Sequence, residues 1–375
     1  MIPYGTQWID EEDIQAVVDT LRSDYLTTGP KVEEFEQTVK EYVGAKYAVA
    51  VSNGTAALHV ACLAAGIKEG DEVITTPITF AASANCVLYC GGMPVFADID
   101  RDSYNISPQS IREKITQRTK AIIPVHFTGQ PCQMDEIHKI AKEYNLIVIE
   151  DGAHALGADY KGKMIGTLSD MTTFSFHPVK HITTGEGGMI LTNDEVLYKK
   201  LSLYRTHGIT RNEEWMEHNE GDWYYEQLEL GYNYRITDLQ CALGISQMKH
   251  LREFVSRRCE IAAYYNEAFE NVKGITIPFQ LEGCHNSWHL YVIKVDPNRR
   301  KEIFDQLRAA QIGVNVHYIP IYKFPHYQKS GYADIYSKEA EAFYSGAISI
   351  PMYPKMTKEQ QDYVIEHVIQ AVSKY

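Results

Sequence analysis

The sequence predicts an α/β protein with a mostly parallel central sheet in a large domain, followed by a smaller C-terminal α+β domain. Two observations predict this. Short, almost wholly apolar segments alternate with amphipathic helical segments through residue 151, as expected for strands covered by helices on both faces. Beyond residue 270 the remaining strand-like segments are short and lie between helices. We place the large domain, including its N-terminal arm, at 1–245 and the small one at 246–375.

The elements follow from local patterns taken in chain order. Helices are expected over 10–22 and 30–43, the second with Pro30 near its start and Gly44 at its end. After Gly44, apolar strand-like segments alternate with segments that have the periodicity of an amphipathic helix. The predicted strands are KYAVAV, DEVITT, PVFADID, KAIIPVH and LIVIED, and the predicted helices between them are GTAALHVACLAAG, FAASANCVLYCGG, 108–117 and MDEIHKIAKEYN.

The C-terminal part begins with a long helical pattern over 239–270, which could be interrupted and which joins the two domains. After it, HLYVIKVD, VNVHY and AISIPM are predicted to be short strands.

Charge and cysteine content exclude several classes of protein. The net charge of −13 argues against nucleic-acid binding, which needs a basic face. The seven cysteines are scattered and form no CxxC pair, a pattern typical of reduced cytoplasmic thiols rather than of disulfides or a metal site. The first residues lack the features of a signal peptide, and no apolar run is long enough to span a membrane.

The segment SNGTAAL follows a predicted strand and opens a helix. The free amides of Gly54, Thr55 and Ala56, the Thr55 hydroxyl and the helix dipole would together bind a phosphate. An ordinary helix cap by Ser52 or Asn53 explains the same residues. The pattern is not a Walker loop, and no GxGxxG follows a strand, which disfavours a dinucleotide-binding oxidoreductase.

Three further groups are expected at strand ends. Asp151 follows the strand LIVIED, where a buried carboxylate needs a partner such as a protonated ring nitrogen, a helix cap or an ion pair. His154 lies three residues on, and SFHPVKHITTGEGG places Ser175 at a strand end and Lys180 in the loop that follows. An exposed turn lysine is the ordinary interpretation of Lys180. The combination of a phosphate site, a carboxylate, a hydroxyl and a lysine is what pyridoxal 5'-phosphate (PLP) requires when it is held as a Schiff base.

The chain resembles the sugar-nucleotide aminotransferases of the DegT/StrS type, which have the fold-type I architecture of PLP-dependent transferases. The resemblance runs through DYLTTGP, SNGTAAL, TTPITF, EDGAHALGA, SFHPVKHITTGEGG, GYNYRITDLQCALG and VNVHY. It implies that Lys180 and Asp151 are the catalytic residues. Lys180 would form the Schiff base and Asp151 would keep the pyridine nitrogen protonated.

The resemblance also implies the other cofactor contacts. His154 would lie near the ring and its 3-hydroxyl, Phe80 would stack on the ring, and Thr55, Ala56 and Ser175 would bind the phosphate. Asn233 would reach the phosphate of a neighbouring subunit, which implies a homodimer with shared active sites. Related sugar dehydratases carry histidine in place of the lysine. The five-residue spacing from Ser175 leads to Lys180 and not to His181, whose role stays open.

In this family L-glutamate supplies the amino group, leaving 2-oxoglutarate, and a ketone on a nucleotide-linked hexose receives it. Several motifs are most similar to those of members that aminate C4 of a UDP-linked 4-keto-6-deoxy-N-acetylhexosamine in pseudaminic acid biosynthesis. Tyr25, Leu26, Thr27, His317 and Tyr318 are the candidates for the sugar-nucleotide pocket, and Arg205 or Arg211 for the diphosphate.

Three alternatives stay open. One is an aminotransferase for another nucleotide 4-keto sugar, such as the D-gluco isomer or a GDP- or dTDP-linked sugar. A second is an NAD-dependent sugar oxidoreductase, which would lack a visible cofactor band. The third is a catalytically silent regulatory protein with the same fold, which would bind PLP without turnover.

Overall fold

The computed structural model describes residues 1–373 of the chain. Within these residues the helices are α1 Glu11–Leu21, α2 Pro30–Val43, α3 Gly54–Ala64, α4 Ala82–Tyr89, α5 Pro108–Lys114, α6 Met134–Tyr144, α7 Glu195–Arg205, α8 Asp238–Met248, α9 Leu251–Phe269, α10 Arg300–Ala309, α11 Pro325–Tyr327, α12 Lys338–Gly346 and α13 Lys358–Ser373. The strands are β1 Tyr47–Val51, β2 Glu72–Thr75, β3 Met93–Phe96, β4 Thr119–Ile123, β5 Ile147–Asp151, β6 Asp159–Tyr160, β7 Lys163–Met164, β8 Met171–Ser175, β9 Gly188–Thr192, β10 Ile209–Thr210, β11 Glu226–Gln227, β12 Cys284–His285, β13 Tyr291–Lys294 and β14 Ala347–Ile350.

Seven strands form the central sheet in the order β1-β9-β8-β5-β4-β2-β3. Strand β9 runs antiparallel to both of its neighbours, and the other six strands run in one direction. The predicted α/β class with a mostly parallel sheet is therefore confirmed. Because the parallel strands end at one edge of the sheet, the residues that follow β1, β5 and β8 come together there.

The pairing register brings two of these strand ends very close. Val51 of β1 and Ser175 of β8 both pair with Gly188 of β9. A Cβ atom on Gly188 would lie 2.4 Å from the carbonyl oxygen of Asn53, so only glycine fits there without a shift. The start of α3 is thus held beside the end of β8.

Most predicted elements are present with small differences at their ends. Helix α2 begins at Pro30 and ends before Gly44, which adopts the left-handed conformation (φ 84°). Strand β3 and helix α5 are shorter than expected, since both give way to loops that contain their own hydrogen bonds. The helical pattern over 239–270 is interrupted at Lys249 and His250, between α8 and α9.

The prediction of a strand at VNVHY is wrong. Only one bridge pairs this segment with β14, between Asn315 and Ser349. The next side chains make tertiary contacts instead: His317 Nδ1 lies 2.8 Å from Ser349 Oγ, and Tyr318 reaches His154. A strand would need a continuing ladder, which these contacts replace.

A separate apolar cluster forms in the C-terminal part, from side chains of α9, β13, α10, β14 and α13. Two further clusters lie between the seven-stranded sheet and the helices on its two faces. The boundary at residue 245 stays a prediction. No helix within residues 1–373 combines the length and apolar character needed to cross a bilayer.

Candidate active site

A cavity of about 1040 Å³ lies at the carboxyl edge of the central sheet. Its walls come from the chain segments singled out in the sequence: the start of α3, the TTPITF loop, the end of β5, the loop after β8 and the VNVHY segment. Thr55, Ala56, Phe80, Asp151, His154, Ser175, Lys180, His317 and Tyr318 all line it. The fold therefore brings together residues that are more than 260 positions apart.

The start of α3 forms one end of this cavity. Asn53 caps the helix, with its Oδ1 accepting a hydrogen bond from Ala56 N at 2.8 Å, so the helix-cap interpretation is correct. A Cβ on Gly54 would lie 2.8 Å from Ser175 Cβ, which shows how closely the α3 terminus approaches β8. Within residues 1–373 the Thr55 hydroxyl has no protein partner. It can therefore donate a hydrogen bond to an anion that the dipole of α3 also attracts.

Asp151 ends β5 and is buried. Ser83 Oγ donates to its Oδ2 at 2.6 Å, and Ala153 N donates to its Oδ1 at 3.1 Å. Ser83 is itself 2.7 Å from Thr79 Oγ1. These donors satisfy a buried carboxylate without a cation. Sequence reasoning missed Ser83, which lies 68 positions from Asp151, and no local signal marks it.

Lys180 lies in the loop after β8, with its side chain half-buried in the cavity wall. Burial lowers the pKa of Lys180 to about 8. Asp151 partly opposes this shift, and the charge of Arg258 makes the smallest contribution, in the lowering direction. With this pKa roughly a tenth of the amine is neutral and nucleophilic at pH 7, and the fraction rises with pH. The exposed-turn interpretation of this lysine is wrong.

His154 and Tyr318 are in contact on the wall of the cavity. His154 Nε2 lies 3.2 Å from the Tyr318 hydroxyl. Burial, followed by the positive charge of Lys180, lowers the pKa of His154 well below its usual value, so the ring is neutral. His154 Nδ1 is buried and has no partner among the described residues. A buried ring nitrogen without a hydrogen bond is rare and indicates a group that a ligand would satisfy.

Two further side chains on the cavity wall escaped sequence reasoning. His289 packs against His154, with 4.3 Å between ring centroids, and Tyr4 packs against His317 at 5.6 Å. Burial, followed by the charge of Lys180, lowers the pKa of His317 to about 4. His289 is the first residue of the predicted strand HLYVIKVD and Tyr4 lies in the N-terminal arm, so neither stands in a motif.

The structure does not bring every predicted residue to this cavity. Tyr25, Leu26 and Thr27 lie elsewhere; Tyr25 is 55% exposed and lines a different cavity of about 420 Å³ between α1, α2 and α8. Asn233 is exposed and lies outside the Lys180 cavity of its own chain. Their assigned roles stay predictions.

Four other residues are placed by their contacts. Phe80 is 63% exposed at the mouth of the cavity, 6.4 Å from the Tyr318 ring. His181 is buried, with its Nε2 3.0 Å from the carbonyl oxygen of Ser287. Arg205 pairs with Glu36 and the Ala50 carbonyl, which leaves it unavailable for a diphosphate. Arg211 lies over the Tyr225 ring, at 5.6 Å.

These residues fit PLP. The cavity offers a lysine with a lowered pKa, a buried carboxylate, an unsatisfied histidine nitrogen and a narrow cradle at Gly54 and Ser175. Within the described part of the chain no three His, Cys, Asp or Glu side chains are grouped to hold a metal ion. The fold and the site together define an aminotransferase of the PLP-dependent class.

The comparisons with known proteins agree. The chain belongs to the DegT/DnrJ/EryC1/StrS aminotransferase family, whose model matches residues 7–369, and it uses PLP as its cofactor. It is 47% identical over 378 residues to protein MJ1066 of Methanocaldococcus jannaschii, covering 100% of this chain and 98% of the relative. It is 40% identical over 380 residues to UDP-4-amino-4,6-dideoxy-N-acetyl-beta-L-altrosamine transaminase of Campylobacter jejuni, covering 100% and 98%.

Solved structures show the same fold. Helicobacter pylori PseC, an aminotransferase involved in pseudaminic acid biosynthesis, matches with a TM-score of 0.93 and 32% identity over 100% of both chains. The PLP form of the Streptococcus pneumoniae protein Spr1654, named as a sugar aminotransferase, matches with a TM-score of 0.91 and 31% identity. That match covers 100% of this chain and 99% of the other.

Proposed function

We propose that the protein transfers the amino group of L-glutamate to C4 of a UDP-linked 4-keto-6-deoxy-N-acetylhexosamine, the step made by UDP-4-amino-4,6-dideoxy-N-acetyl-beta-L-altrosamine transaminase in pseudaminic acid biosynthesis. The observation that carries the proposal is the shared cavity of Lys180 and Asp151, in which the amine has a lowered pKa. Full-length likeness to the Campylobacter and Helicobacter enzymes supports the choice of sugar.

The chemistry divides between cofactor and chain. PLP, when bound, supplies an electron sink for the carbon that bears the nitrogen. Asp151 would hold the proton on the ring nitrogen and so keep this sink effective. Lys180 would hold the cofactor through its amine, and the same amine would move a proton as general base and acid. Thr55, Ala56 and Ser175 would bind the phosphate, and Phe80 and His154 would hold the ring.

The sugar nucleotide enters from the side of His317 and Tyr318. A neutral His317 and the Tyr318 hydroxyl suit an uncharged, hydroxyl-rich sugar. Asn233 and the segment of Tyr25, Leu26 and Thr27 act in the active site of a second subunit, so the working unit is a homodimer. Their exposure on the single chain supports this arrangement. The scattered, unpaired cysteine pattern favours the cytoplasm.

The first experiment is the visible spectrum of the purified protein before and after L-glutamate. We expect a yellow PLP band that bleaches, with release of 2-oxoglutarate. A protein that stays colourless with PLP would contradict the cofactor assignment. Lys180→Ala should remove turnover, whereas Lys294→Ala should not. Lys294 is a matched control because burial also lowers its pKa, but it lies against Tyr104 and not on the cavity.

The second experiment identifies the sugar. The glutamate-treated protein is offered a panel of 4-keto sugars: the UDP-linked substrate named above, its D-gluco isomer, and GDP- and dTDP-linked analogues. We expect the highest kcat/KM with the first. A preference for another member would contradict the sugar assignment and leave the aminotransferase class intact.

A further inference from the structure

Arg258 of α9 is a cation buried behind the cavity. It is 1% exposed, and its Nη1 lies 3.2 Å from each of three carbonyl oxygens, those of Trp288, His289 and Met352. Its Nε is buried without a partner among the described residues, and no carboxylate within residues 1–373 lies at ion-pair distance from it. Burying a charge in this way is costly, so a charge of this kind is a candidate for a functional role.

Two of the three carbonyls that Arg258 contacts, those of Trp288 and His289, belong to a strained turn, residues 286–289. Trp288 adopts a left-handed conformation (φ 50°), which costs a residue with a side chain on the order of 1 kcal/mol or more. Asn286 Oδ1 accepts a hydrogen bond from Trp288 N at 2.8 Å, and Ser287 Oγ donates to the carbonyl oxygen of His154 at 3.1 Å. The turn is therefore tied to α9 on one side and to the cavity wall on the other.

This turn also supports the residues around the reactive amine. His181, the neighbour of Lys180 in sequence, is attached through Nε2 to the Ser287 carbonyl at 3.0 Å. His289 lines the cavity and packs on His154 at 4.3 Å and on His181 at 5.7 Å between ring centroids. The turn thus lies between the guanidinium of Arg258 and the loop that carries Lys180.

We propose that Arg258 is a positioning residue for Lys180: it holds the 286–289 turn that walls the cavity, and it supplies an uncompensated positive charge behind that wall. This inference deepens the proposed function, since it takes Lys180 to be the reacting amine. The charge repels a second cation in the cavity and so favours the neutral form of that amine.

The other described groups that face Lys180 do not add a positive charge near neutral pH. Burial keeps the pKa values of His154, His181, His289 and His317 below the usual value, so none of these rings adds a charge near neutral pH. Asp151 acts in the opposite direction and favours the charged amine. Arg258 is the permanent cation among the groups that lower the pKa of Lys180.

The test compares two substitutions that differ in charge. Arg258→Gln keeps a side-chain donor for the carbonyls and removes the charge, whereas Arg258→Lys keeps both. Full-length protein freed of PLP is labelled with trace acetic anhydride across pH 6–11, and the rate at Lys180 is read by mass spectrometry. In the wild type we expect a midpoint near 8. Arg258→Gln should slow labelling at pH 7 roughly threefold to tenfold, because one pKa unit changes the neutral fraction tenfold.

Arg258→Lys should stay close to the wild-type profile. Equal profiles in all three proteins would show that Arg258 is only structural and would overturn the proposal. Equal slowing in both variants would also overturn it, because charge would then not be the cause. If Arg258→Gln fails to melt cooperatively, Arg258→Met takes its place as the uncharged variant, and a profile equal to that of the wild type overturns the proposal. A wild-type midpoint at the ordinary lysine value of 10.5 also overturns it.

The labelling needs neither glutamate nor a sugar. A failure of this proposal is therefore distinguishable from a failure of the proposed function, which would appear in the spectrum and the sugar panel while the labelling profile stayed as expected. Lys294 in the same digest serves as an internal control, since it lies outside the cavity and its labelling should not change between variants.

Discussion

Ser83 Oγ donates a 2.6 Å hydrogen bond to Asp151 Oδ2. The bond joins the first turn of α4 to the end of β5 and holds one oxygen of the carboxylate, while the amide of Ala153 holds the other. Thr79 in turn supports Ser83 at 2.7 Å. The carboxylate thus has a definite orientation in the cavity before any ligand contacts it.

Removing the Ser83 hydroxyl should impair catalysis more than folding. In Ser83→Ala the carboxylate keeps only the Ala153 amide, and a hydrogen bond to a charged group contributes about 1.5–3 kcal/mol, which corresponds to a factor of about 10 or more. We expect kcat with glutamate to fall by about tenfold. Ser246→Ala is the matched control, because Ser246 is also buried but its Oγ has no partner within residues 1–373, so its loss should change kcat little. Equal kcat values in the two variants would contradict the role of Ser83.

Neutralising Asp151 should leave cofactor in place and remove most of the rate. Asp151→Asn keeps the shape of the side chain but no longer favours a protonated ring nitrogen, so kcat should fall on the order of 10²-fold or more. Bound PLP is measured by absorbance and kcat by 2-oxoglutarate release.

Asp238→Asn provides the comparison for Asp151. Asp238 is also buried and accepts two backbone N–H groups, from Gly29 and Lys31 at the start of α2. Its substitution should lower the melting temperature with little change in kcat per bound PLP. Near-normal kinetics in Asp151→Asn would make Asp151 structural.

Gly129 is expected to be essential for the packing behind the cavity. It has φ 106°, and a Cβ there would lie 2.8 Å from Trp288 N and 2.9 Å from the carbonyl oxygen of His154. Gly129→Ala should therefore combine backbone strain with overpacking and destabilise the fold by about 3 kcal/mol. Gly70→Ala has comparable strain (φ 90°) but nothing within 4 Å, so it should cost only about 1 kcal/mol. Equal melting temperatures would contradict the close packing at the 286–289 turn.

The uptake of PLP should depend on pH through Lys180. Only the neutral amine attacks a carbonyl, and burial lowers the pKa of Lys180 to about 8. The rate at which the cofactor-free protein binds PLP should rise with pH and level off above about 8. A rate still rising toward 10.5 would show an ordinary lysine.

The same shift has a consequence for stability. Folding disfavours the charged form of Lys180. The buried charge therefore destabilises the folded state in full below pH 8, and this destabilisation disappears as the pH rises toward 10.5, the pKa in the unfolded chain. The contribution of this lysine to the free energy of unfolding should increase across that window.

The sequence by itself determined the alternation of strands and helices, because hydrophobic periodicity is a local property that each segment carries independently. It also identified Lys180, Asp151 and His154 at strand ends, since parallel strands that end at one edge must bring such residues together. The helix cap at Asn53 and the stop at Gly44 follow from side-chain and backbone preferences over a few residues.

The tertiary structure alone decided what supports these residues. Ser83 reaches Asp151 across 68 positions, and Arg258 lies 30 and 94 positions from carbonyls it contacts. It also decided that VNVHY makes only one bridge to β14, and that Tyr25 and Asn233 lie outside the cavity of their own chain. Such contacts depend on the strand order and on how α9 packs behind the sheet edge. Local periodicity carries no information on the strand order or on the packing of α9, because both depend on contacts between segments that are distant in the sequence.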